Sequence, residues 1–66
     1  MKVNEYLMSD VAKEYDDYSI YVEDEEGCIL YCGDKYDLII SDEFDYSEIL
    51  KVEENKKEKY IIFLIK

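Results

Sequence analysis

Tyr18-Ser19-Ile20-Tyr21-Val22-Glu23-Asp24-Glu25-Glu26-Gly27-Cys28-Ile29-Leu30-Tyr31-Cys32 is the stretch that decides the fold. Its first half alternates: Ile20 and Val22 face one way, and Ser19, Tyr21 and Glu23 face the other, the period of a half-buried strand. Glu25-Glu26-Gly27 then supplies a three-residue connection, with Gly27 free to take positive φ. Cys28–Cys32 follows as a second strand, so the stretch reads as a β-hairpin closed by acids. Gly33-Asp34 ends it.

Outward from this hairpin, residues 14–48 form one acidic tract. It holds thirteen carboxylates and a single base, Lys35, with six tyrosines threaded between them. Toward the N-terminus, Val3, Leu7, Val11 and Tyr15 recur every four residues, with Met8 and Ala12 beside them. That stripe predicts a helix over about residues 5–14, with Asn4 as its N-cap and Glu5 in a first turn that favours negative charge.

Toward the C-terminus, Tyr36–Ile40 reads as a third strand and residues 42–50 as a loop or single helical turn. Residues 48–54 read as a strand, 55–57 as a turn, and 58–65 as the final strand. Tyr60–Ile65 is apolar on both sides, which places it centrally or covers it on both faces. The expected architecture is α+β: one N-terminal helix packed on a small antiparallel sheet of about four strands, two layers in one domain, 1–66.

Composition bounds the function. A chain of 66 residues buries a modest share of its surface and has marginal stability. Disorder competes for so charged a chain, but the aromatic and β-branched residues lie in runs. Net charge is −10, with no His and no Pro, and every base is a lysine. Lacking Arg, the usual side chain for a two-pronged grip on phosphate, the chain is not expected to bind nucleic acid directly. Anionic membrane surfaces should repel it and basic partners should attract it. No leader-like apolar segment precedes the helix, and no apolar run approaches membrane-spanning length, so a cytoplasmic location is expected.

Chemistry is hard to find. Without histidine, the serines and the two cysteines lack a conventional base, so no enzyme is expected. Carboxylate pairs are inevitable among so many acids and carry no signal. Residues 24–27 and 42–45 crowd oxygen ligands, but neither has EF-hand spacing, and no metal or other cofactor is expected. Four residues apart on a strand, Cys28 and Cys32 would sit about 13 Å from each other, too far for a disulfide. They read as reduced thiols lying partly in the core.

The acid-tyrosine surface remains. A solvated, solubilising exterior is its plainest reading. However, charge so lopsided destabilises a marginal fold by self-repulsion, and there are more tyrosines than a small core holds. Tyr15, Tyr18 and Tyr21 are expected to be at least half exposed, as in a binding patch. Alternate strand residues lie about 6.8 Å apart, so carboxylates along strands and flanking loops can imitate a line of phosphates. The expected partner-binding residues are Asp16, Asp17, Tyr21, Glu23, Asp24, Glu25, Glu26, Asp34, Asp37, Asp42, Glu43 and Asp45.

The opening Val3–Tyr15, the Asp24–Gly27 hairpin and the acidic loop 42–48 together resemble small acidic inhibitors from phages and mobile elements. These include anti-CRISPR proteins, anti-restriction proteins and uracil-DNA glycosylase inhibitors. The likeness covers the whole chain in size, charge and layout and is carried by no sequence motif. It implies a protein partner with a basic nucleic-acid-binding groove. The alternative is a small structural or accessory protein that associates through a sheet edge or an apolar face, for instance as a homodimer.

Overall fold

The computed structural model describes all residues, Met1–Lys66. The order is α1 (Val3–Leu7), a 3-10 helix (Asp10–Tyr15), β1 (Ser19–Glu23), β2 (Ile29–Gly33), α2 (Lys35–Ser41), β3 (Ile49–Asn55) and β4 (Tyr60–Ile65). The fold is α+β, with a four-stranded mixed sheet and short helices.

The expected single helix over 5–14 is instead two short pieces. Lys2, rather than Asn4, precedes the first turn, and the Glu5 carboxylate accepts the Lys2 N–H at 3.0 Å. At Ser9 the chain breaks and resumes as a 3-10 helix, in which residues three apart eclipse. The phase change buries Ala12 and Tyr15 while Met8 and Val11 stay exposed, so the apolar stripe holds only at Val3, Leu7, Ala12 and Tyr15.

The opening hairpin forms as its alternation predicts. Ile20 and Val22 are fully buried, and β1 pairs antiparallel with β2. Asp24 and Cys28 close the turn by a backbone hydrogen bond of 3.1 Å, and Gly27 takes φ of 86°. The second hairpin, β3–β4, is also antiparallel.

Two further expectations fail. The sheet order is β2-β1-β4-β3, and the central pair β1–β4 is parallel. The sheet is therefore mixed, because the two hairpins join through their apolar inner strands. The segment expected as a third strand, 36–40, is helix α2. Asp34 caps it by accepting the Asp37 N–H at 2.7 Å, which satisfies one of the four free donors of the first turn. Leu38 is thereby turned inward onto the sheet.

One face of the sheet meets both α-helices and the 3-10 helix in a single core. Val3, Leu7, Ala12, Tyr15, Leu38 and Phe44 pack there against Ile20, Val22, Ile61, Phe63 and Ile65. No helix is long and apolar enough to cross a membrane.

Candidate functional site: the carboxylates and the open sheet face

Strand direction sorts the candidate acids between two ends of the sheet. β1 and β4 run parallel, so the hairpin 24–27 lies at the end where β4 finishes and β3 begins. Residues 42–48 lead into β3 at that same end, held by Val3 N–H donating to the Ser47 carbonyl and Asn4 N–H to the Asp45 carbonyl, both at 3.1 Å. Glu23, Asp24, Glu25, Glu26, Asp42, Glu43 and Asp45 therefore share one end. None of the seven has a lysine within ion-pair distance.

The opposite end carries Asp16, Asp17, Asp34 and Asp37 together with the cations Lys35, Lys56, Lys57 and Lys59. Asp17 pairs with Lys59 at 2.7 Å, and that ammonium holds its carboxyl below the ordinary range. Asp16 pairs with Lys35 and is lowered for the same reason. Lys35 is a buried lysine whose ammonium also donates to the Ala12 carbonyl at 3.1 Å, so it latches α2 to the 3-10 helix. The structure thus divides the twelve candidates: seven carboxylates stand together, four are mixed with cations, and Tyr21 lies on the sheet.

Some of these acids also hold the backbone. The Asp24 carboxylate accepts the N–H groups of Glu26 (2.9 Å) and Cys28 (3.0 Å). Asp24, Glu26 and Cys28 each bring one ligand-type atom within 4.8 Å of the others. Asp42 ends α2 in the left-handed region, at φ 50°.

The tyrosines and thiols correct the expectation. Tyr15 is 1% exposed because the 3-10 phase turns it inward. Its hydroxyl donates to Glu54 at 2.9 Å and lies 3.5 Å from the Tyr6 hydroxyl. Burial, reinforced by these two neighbours, pushes its pKa far above the ordinary value. Tyr18 and Tyr21 are half-buried. Cys28 and Cys32 are both exposed free thiols, not core groups. Cys28 sits in the turn, and Cys32 stands opposite Tyr21 on the outer side of the sheet.

The sequence offered an apolar face only as an alternative and did not locate it; the structure places one on that outer side. Register places Cys32, Tyr21, Ile62 and Glu53 in one row across the four strands, and Ile29, Glu23, Leu64 and Lys51 in the next. Tyr21, Glu23, Ile29, Tyr60 and Ile62 line a shallow hollow of about 280 Å³. The Tyr21 and Tyr60 rings meet edge to face, 6.3 Å apart. The signal was present in Tyr60–Ile65: a run apolar on both sides is central in the sheet, but only one of its faces is covered.

The chain matches no known family model. Nor does it match a characterised protein or a solved structure at a significant level.

Proposed function

We propose that the protein is a non-enzymatic binding protein that places its carboxylate-rich end in the basic nucleic-acid-binding groove of a partner protein and so keeps nucleic acid out. The partner would be a host defence or repair complex, as for the anti-CRISPR and anti-restriction inhibitors that the sequence resembles. The observation carrying this reading is a cluster of unpaired carboxylates. Seven stand together at one end of the sheet without an ion-pair partner, although Lys2, Lys51 and Lys66 also lie at that end, whereas Asp16 and Asp17 at the other end are paired with Lys35 and Lys59. Carboxylates clustered and unpaired in this way attract a positive groove toward that end. Carboxylates already neutralised by lysines would have little left to offer one.

The test is capture from a host lysate at low salt, followed by affinity measurement against the captured protein. Groove occupation predicts affinity that falls at least about tenfold between roughly 50 and 200 mM salt. It also predicts loss of capture when Asp42→Lys, Glu43→Lys and Asp45→Lys are combined in a variant that still folds. Affinity indifferent to salt, or capture unaffected by the reversal, removes the reading.

A second reading has its own observation. The apolar outer face of the sheet favours an accessory protein that associates through that face.

A further inference from the structure

The outer face of the sheet presents Tyr21, Tyr60, Ile62 and Leu64 along its two central strands. A half-solvated sheet ordinarily turns polar residues outward. β3 does so with Lys51 and Glu53, whereas β4 does not. Within the hollow stands Glu23, half-buried, beside Ile29 and Leu64 and without an ion-pair partner, since Lys51, two strands away in the same row, pairs with Glu53. Its counterpart on the far side of the face, Glu53, is already paired with Lys51 at 3.0 Å. The face therefore asks for apolar contact along its middle and positive charge on one flank.

We infer that this open face is the docking site for an amphipathic helix of a partner protein, apolar on the side that meets Tyr21, Tyr60 and Ile62 and basic on the flank that reaches Glu23. Dimensions support a helix. Five residues of strand run about 17 Å, the length of roughly eleven helical residues. The helices on the inner face show that this sheet accepts helix packing. The inference rests on the second reading above and shares only Glu23 with the carboxylate end.

A second copy of this chain fits less well. Each copy would bring a net charge of −10 to the contact, whereas a basic helix brings the opposite sign.

The probe is a synthetic helical peptide of about 14 residues with Leu at i, i+3, i+4 and i+7 spacing and Lys on one flank. A scrambled peptide of the same composition is the control. Affinities are read by fluorescence anisotropy at about 0.3 M salt, where screening suppresses long-range attraction. The amphipathic peptide should bind at least tenfold more tightly than the scrambled one. Ile62→Asn and, separately, Tyr60→Ser should each weaken it at least fivefold, and Glu23→Gln about threefold; circular dichroism verifies each fold. The combined reversal at Asp42, Glu43 and Asp45 should change peptide affinity less than twofold, so that failure at this face and failure at the carboxylate end are told apart. Equal binding of the two peptides, or indifference to both Ile62→Asn and Tyr60→Ser, overturns the inference. So does a parent dimer in sedimentation that Ile62→Asn converts to monomer, because the face would then belong to a second copy.

Discussion

The Tyr15 hydroxyl donates to Glu54 from inside the core, so one phenol links the 3-10 helix to the edge strand β3. Its ring lies against Tyr6 and Tyr18. Tyr15→Phe keeps the ring and removes the bond, and it should cost about 1 kcal/mol in urea unfolding at neutral pH. The pH dependence has a definite sign. The folded state holds the phenol protonated well above its ordinary value of 10.0, while the unfolded chain releases the proton near that value. The contribution of Tyr15 to stability is therefore complete below about pH 10 and is lost as pH rises beyond it. Tyr15→Phe should lack that part of the alkaline decline. Parallel stability curves for parent and variant up to pH 11 would show that the phenol does not titrate on unfolding.

Helix α2 is bounded by two aspartates that are also candidate binding residues. Asp34 caps its start and Asp42 ends it in the left-handed region, where Gly rests without strain. Asp42→Gly should therefore raise stability by about 0.5 kcal/mol while weakening attachment to a basic partner, as urea unfolding and an affinity measurement on the same sample would show. Destabilisation would mean that the Asp42 side chain supports the helix end. The element scale is also where the sequence was least legible. Both hairpins could be read because the alternation of Ile20 and Val22 and the turn at Gly27 are local signals. The segment Lys35–Ser41 could not be read by periodicity, because Leu38, Ile39 and Ile40 suit a strand equally well. The better clue was the pairing of Asp34 with Asp37, an N-cap with an acid three residues on. The parallel contact of β1 with β4 had no local signal, since it is decided by which strands need burial on the shared face. Of the candidate site, the sequence showed which residues are acidic. It did not show that chain direction would separate those at 23–26 and 42–45 from Asp16, Asp17, Asp34 and Asp37.

Across the whole molecule, a net charge of −10 opposes compaction. Six ion pairs offset only part of it, mostly exposed ones of small worth. Salt screens the excess repulsion, so the melting temperature should rise by about 5 °C between roughly 0.02 and 0.5 M sodium chloride, the equivalent of about 1 kcal/mol for a domain of this size. A lower melting temperature in salt would mean that the ion pairs outweigh the repulsion. The same addition should weaken a partner held by the carboxylates, so loss of binding and loss of fold move in opposite directions along one titration.

The parallel pairing of β1 with β4 also bears on how the chain reaches this state. Each hairpin closes over a few residues, whereas Ser19 must find Tyr60 across most of the chain. Loop-closure entropy therefore weighs on that pairing, as on the still longer contacts of Lys2 and Val3 with Glu48 and Ser47. The hairpins should form first, and their docking, which completes the row from Ile20 to Ile61, should limit the folding rate. Until it happens both central strands expose an unpaired edge, and β4 exposes apolar side chains on both faces. The acids at 23–26, next to that edge, are placed to act as electrostatic gatekeepers, so neutralising them should increase aggregation during refolding, as light scattering would show.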